Sequence, residues 1–150
     1  MRLWLCLISV SLYGQTLQLP AKTDASPGTY AELALTFSPG QSRLAALQWE
    51  VTFQGDQTTL DRFRLGPAGQ SAKKTLQCAG TWQIPNKVYV ERCVLAGGID
   101  AIGAGDIATF RFKIGRATGP ITIRVENAKG VSADLKETDF GPSEGKILFK

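Results

Sequence analysis

DIATFRFKI, residues 106 to 114, alternates strictly: Ala108, Phe110, Phe112 and Ile114 oppose Thr109, Arg111 and Lys113. A period of two places one set on a buried face and the other in water, which is the signature of a half-buried β-strand. The same stretch decides a competing reading. Gly103-x-Gly105-x-x-Ala108 formally matches a dinucleotide-binding fingerprint, but that motif needs a helix N-terminus after the glycines to receive a pyrophosphate. A strand follows instead, so the glycines read as turn residues between strands.

Working outward, the period of two recurs along the chain. Leu33, Leu35 and Phe37 alternate with Glu32, Ala34 and Thr36 before a Ser-Pro-Gly turn. Leu47, Trp49, Val51 and Phe53 oppose Gln48, Glu50 and Thr52, and Ile121, Ile123 and Val125 oppose Thr122, Arg124 and Glu126. Turn residues interrupt the pattern about every ten residues, an all-β signature. Candidate strands fall at 16–19, 30–37, 44–53, 59–65, 72–78, 88–95, 105–114, 119–127 and 145–150. No helical stretch competes, although TLDRFRL at 59–65 sorts cleanly onto neither parity. Strands with one apolar face each must cover one another, and two packed sheets are the ordinary solution.

The N-terminus, MRLWLCLISVSLYGQ, sets one basic residue before an apolar run of roughly ten residues, the outline of a secretory signal peptide and too short to span a bilayer. Residues 1–14 are therefore expected to be a leader, with cleavage after Ser11 or before Gln15, and 16–150 one domain. Cys6 lacks the preceding small residue of a lipid-attachment site, and the C-terminal EGKILFK carries no anchor signal. The expected location is secreted and extracellular, with no membrane insertion of the mature chain.

Losing Arg2 leaves 16 basic against 13 acidic residues, a net +3. The basic residues are dispersed: Lys73-Lys74 and the series Arg111, Lys113, Arg116 read as solvated strand faces, so no nucleic-acid partner is expected. The absence of histidine removes His-based triads, His-ligated zinc and the commonest general base. No Gly-x-Ser-x-Gly elbow occurs, and a catalytic role is not expected. Asp134, Glu137, Asp139 and Glu144 share the long segment 130–145, but Lys136 and Lys146 dilute it and no Asp-x-Asp run appears. It reads as a solvated loop rather than a calcium site, and no metal or cofactor is expected.

CAGTWQIPNKVYVERC, residues 78 to 93, holds both cysteines outside the leader. Pro85-Asn86 is a turn pair between two β-type runs. A turn centred there makes paired positions sum to 171, the sum of 78 and 93. Opposed Cα atoms in a ladder lie about 4.5–5.5 Å apart, within reach of a disulfide. Two cysteines without histidine are too few for zinc, and a redox pair would show Cys-x-x-Cys spacing. A Cys78–Cys93 staple is expected, with Ala79-Gly80 a candidate bulge. Trp49 shares a face with Leu47, Val51 and Phe53 and belongs to the core, whereas Trp82 falls in a polar loop and is a candidate ligand contact.

The ordered set AALQWEVTF, LGPAG, GDIATFRFKI, GPITIRVENAKGVSAD and EGKILFK resembles the cohesin domains of cellulosomal scaffold proteins, over about residues 16 to 150. The resemblance implies a nine-stranded jelly-roll β-sandwich, cohesin-like, that binds a dockerin-like protein or, as in structural cousins, a polysaccharide. It implies that 44–53, 72–78, 88–95 and 119–127 share one sheet whose outward face is the partner-binding face. Gln48, Glu50, Thr52, Arg124 and Glu126, with Lys73, Thr75, Gln77 and Thr122, would lie there. The expected function is a secreted non-catalytic binding module in extracellular polysaccharide use. A direct carbohydrate-binding module and a structural or adhesive surface domain are the alternatives.

Overall fold

The computed structural model describes residues 14–83, 87–115 and 119–150. Residues 1–13 of the expected leader, the Pro85-Asn86 turn and Arg116 lie outside the described residues. Among the described residues the chain forms eleven strands and one short helix in the order β1 (Thr16–Gln18), β2 (Lys22–Ala25), β3 (Tyr30–Ser38), β4 (Leu44–Gln54), β5 (Thr58–Leu65), α1 (Pro67–Ser71), β6 (Thr75–Gln83), β7 (Val88–Ala96), β8 (Gly105–Ile114), β9 (Ile121–Ser132), β10 (Glu137–Asp139) and β11 (Ser143–Phe149). Four strands make one sheet in the order β1-β3-β8-β5. The other runs β2-β11-β9-β4-β7-β6, with β10 paired to β9.

The alternating residues close the core as their period requires. Leu33, Leu35, Phe37, Phe110, Phe112 and Ile114 from the smaller sheet meet Leu47, Trp49, Val51, Phe53, Ile121, Ile123 and Val125 from the larger, all buried. Phe53 stacks edge-on against Phe112 across the layers, with ring centroids 5.3 Å apart. Trp49 is part of this core, as its alternation predicts.

The corrections to the sequence reading have physical reasons. The strand count is eleven rather than nine, because β2 and β10 span four and three residues, too few to display a period. β2 also pairs in parallel with β11, and β10 sits inside the segment expected to be a solvated loop. The helix α1 was not expected: Pro67 occupies its first turn, where the missing N–H costs nothing, and Ala68 and Gly69 are buried. Lys73, expected on the sheet, follows that helix in the left-handed region at φ 57°. Lys74, expected in water, is buried, with Nζ donating to the carbonyls of Gly97 at 2.7 Å and Gly98 at 3.4 Å.

The ambiguity of TLDRFRL also resolves. The β5–β8 register shifts between Leu60 and Arg62, so Asp61 is an extra residue that resets the alternation. Thr58, Leu60, Phe63 and Leu65 turn inward on either side of it, and Asp61, Arg62 and Arg64 are exposed.

The β6–β7 ladder pairs positions that sum to 171 throughout, from Thr75↔Ala96 to Gln83↔Val88, with no shift at Ala79-Gly80. Cys78 and Cys93 are opposed with Cα atoms 4.1 Å apart and are joined by a disulfide. Cys93 is buried, which fixes which parity of β7 faces the core.

Candidate partner-binding face

The outward side of β9-β4-β7-β6 is concave and encloses about 580 Å³, lined among others by Glu50, Thr52, Gln54, Val88, Val90, Thr122, Arg124, Glu126 and Asn127. Register sets these residues in rows across the sheet. One row runs Glu144, Arg124, Thr52, Val90 and Thr81, and the next runs Glu126, Glu50, Arg92 and Ala79. Val88, half-buried, gives the cavity its exposed apolar surface, with Val90 beneath it in the lining. Val90 is only 2 % exposed although it points away from the core.

Glu50 and Glu126 are directly opposed, an unfavourable pairing for like charges on adjacent strands. The surroundings offset it. Arg92 Nε lies 3.0 Å from Glu50 Oε1, and Arg124 lies 4.0 Å from Glu126 and 3.0 Å from Glu144. Asn127 Nδ2 donates to Glu50 Oε2 at 3.1 Å. That bond depends on backbone irregularity: the β4–β9 register shifts between Gln48 and Glu50, and the extra residue, Asn127, takes φ 50°. Asparagine tolerates the left-handed region better than most residues, so the bulge brings its side chain back over β4. Exposed pairs of this kind contribute little stability and more to orientation and specificity.

Glu50, Thr52, Thr122, Arg124 and Glu126 therefore line one concavity: alternation turns each outward on its own strand, and the pairing of β4 with β9 brings them together. Gln48 is on the same face and exposed, paired with Val94 and Lys129 outside the cavity lining. Thr75 and Gln77 are on the outward face of β6. Trp82 belongs to strand β6 rather than to a loop, and it shares the inward parity of Cys78. It is 53 % exposed, its ring meets Tyr89 edge-on at 5.4 Å, and it covers the place a side chain on Gly55 would fill.

Beside Trp82 the inward edge holds Glu91, buried and hydrogen-bonded by Tyr89. Burial pushes the Glu91 carboxyl above its ordinary pKa, and the hydrogen bond from Tyr89 opposes that only in part. The Tyr89 hydroxyl is raised as well, by burial first and then by the neighbouring carboxylate. A side chain on Gly80 would collide with both groups, so the glycine makes the space they occupy. In the segment 130–145, Asp134 accepts a hydrogen bond from Ser132, which holds its carboxyl below the usual range. Among the described residues no three Asp, Glu or Cys side chains gather as a metal site.

Val88, Val90, Arg92 and Asn127 were not read as part of this face, and Glu144 was read as part of a solvated loop. KVYVERCVL carries apolar residues on both parities, so periodicity alone assigns neither face. The 171 register supplied the missing signal: with Cys93 inward, Val88, Val90 and Val94 must point outward, and outward valines mark a surface with something to cover.

No protein-family model matches the chain, and no curated protein matches it. Solved structures do. A non-cellulosomal cohesin from the hyperthermophilic archaeon Archaeoglobus fulgidus superimposes with a TM-score of 0.72 at 9 % identity, over 91 % of each chain. The cohesin of a type I cohesin–dockerin complex from Clostridium thermocellum gives 0.72 at 14 % identity, over 91 % of this chain and 99 % of that one. The sixth cohesin of Acetivibrio cellulolyticus scaffoldin B, in complex with a Cel5 dockerin, gives 0.70 at 11 % identity, over 91 % and 99 %. At these identities the likeness is one of fold: the chain is a cohesin-like jelly-roll sandwich.

Proposed function

We propose that this chain is a secreted, non-catalytic binding module whose concave sheet face docks a dockerin-like protein in extracellular polysaccharide use. The observation that carries the reading is the concavity itself. Ion-paired Glu50, Arg124 and Glu126 surround outward-facing Val88 and Val90 in a fold whose solved examples include two cohesins in complex with dockerins. An apolar patch with a charged rim suits a protein surface, where the rim sets register and the patch supplies burial. The absence of histidine and the apolar run at residues 1–14 support the non-catalytic and secreted parts of the reading. Trp82 has the inward parity of β6 and does not line the concavity, and one exposed indole is a poor platform for a sugar chain.

The test is capture on a panel of immobilised dockerin modules and on insoluble polysaccharides. Retention by at least one dockerin, lost in a Glu50→Arg, Arg124→Glu double variant, is the expected result. Retention by polysaccharide alone, lost on Trp82→Ala, would replace this reading with a carbohydrate-binding module.

A further inference from the structure

Five strands have an open side among the described residues: β1 and β5 in the smaller sheet, and β2, β6 and β10 in the larger. Open strands invite pairing with other chains and are ordinarily blunted by shortness, charge or bulges. β1 and β10 have three residues each, and β2 has four with Lys22 and Asp24 among them. β5 has eight, but carries Asp61, Arg62 and Arg64 and the Asp61 bulge. β6 is nine residues long, TLQCAGTWQ, with no charge, no proline and an unbroken ladder to β7.

Its hydrogen-bonding groups are also disposed for pairing. The 4.1 Å Cα separation at Cys78 and Cys93 marks the narrow kind of antiparallel pair, whose residues do not bond each other. Alternation then directs the N–H and C=O groups of Leu76, Cys78, Gly80 and Trp82 away from β7. None of these groups enters a turn or loop backbone hydrogen bond among the described residues. The disulfide ties this strand to β7 at the sheet margin.

We propose that β6 pairs with β6 of a second copy of this chain, antiparallel about a two-fold axis at Ala79, joining the two larger sheets into one. The strand is its own complement. About that axis Leu76 meets Trp82 of the second copy, Gln77 meets Thr81 and Cys78 meets Gly80, each keeping its own face. The outward-directed groups of one copy thus meet those of the other. No like charges are opposed, because the strand has none. The 53 % exposed Trp82 lies over half-buried Leu76 of the second copy, which gives its indole the apolar cover it lacks in one chain.

Sedimentation equilibrium of the mature chain from about 1 μM to about 1 mM reads the outcome directly as a dissociation constant. A monomer–dimer equilibrium is expected. Ala79→Lys, on an exposed outward position that would oppose itself at the axis, should raise the dissociation constant by about fivefold or more. Ala79→Glu should do the same, and an equimolar mixture of the two should restore the dimer. Thr81→Lys, also exposed, provides a second disruptive variant, and circular dichroism melts confirm that each remains folded. A monomer at every concentration would overturn the proposal. So would a dimer indifferent to all three substitutions, including one dissolved only by the Glu50→Arg, Arg124→Glu change on the concave face.

Discussion

Both sheets present an outward face of alternating polar residues, yet only one looks built to hold something. On the smaller sheet Arg64 pairs with Glu32, Arg111 and Arg62 share Asp61, and the Arg111 guanidinium sits 3.8 Å above the Tyr30 ring. On the larger sheet a similar number of charges surrounds a hollow with outward valines at its base. Polar alternation is common to the two and so identifies neither. What separates them is the hollow, with Asn127 on its rim, and apolar side chains on the parity that should be wet.

The two margins next to these faces differ too. β5 is broken by a bulge and carries Asp61, Arg62 and Arg64, whereas β6 is stapled to β7, and that staple should carry the largest effect. Replacing both cysteines by alanine, or reducing the disulfide, removes a closure of 15 residues and should cost about 3 kcal/mol in the chain-entropy model. Denaturant melts with and without reductant measure it, and no change would show that the margin is held by the ladder alone.

Charge reversal compares the faces directly. Glu50→Arg with Arg124→Glu should weaken partner binding by roughly 2 kcal/mol or more by calorimetry. Glu32→Arg with Arg64→Glu on the other sheet should leave binding within about 0.5 kcal/mol. Equal losses would erase the distinction between the faces. Asn127→Ala keeps the bulge but forces a residue with a Cβ and no stabilising side chain into the left-handed region. It should cost about 1 kcal/mol of stability and release Glu50, whereas Asn127→Gly should cost less, as thermal melts of the pair would reveal.

The smallest effect concerns a carboxylate inside the sandwich rather than on either face. Because burial raises the Glu91 pKa, the folded chain takes up this proton before the unfolded chain does as pH falls. The stabilising contribution is therefore present below the unfolded value and is lost as pH rises through the folded one. Glu91→Gln, which still accepts from Tyr89, should raise stability near neutral pH and flatten its fall as pH rises above the ordinary carboxylate range. A variant as pH-dependent as the parent would assign that slope to other groups.

The sandwich was legible because its core strands are long and alternate without interruption, as in Leu47 to Phe53 and Ala108 to Ile114. The disulfide was legible because one turn and one sum fixed its register. What escaped were irregularities that no period encodes. Asp61 and Asn127 each insert one residue, Pro67 begins a helix too short to repeat, and β2 and β10 owe their pairing to neighbours rather than to their own pattern. Of the candidate face, Glu50, Thr52, Thr122, Arg124 and Glu126 were readable from the alternation of β4 and β9, whereas Val88 and Val90 were hidden by a strand apolar on both sides. Trp82 was misplaced because a polar context reads as a loop, although the same residues serve an exposed marginal strand.

The parallel pairing of β2 with β11 has a kinetic consequence. β11 also pairs with β9, so Ser143–Phe149 bridges strands from opposite ends of the chain. Until those residues have left the ribosome, β2 lacks its ladder partner and β9 lacks the neighbour that Ser143–Ile147 provides. Closing such distant contacts is slow relative to local helix formation, on a scale of milliseconds to seconds for sandwich topologies. The larger sheet is thus completed late, after most of the chain is present, and a chain truncated before Ser143 would leave Ile121–Val125, the stretch that carries Arg124, open along one side.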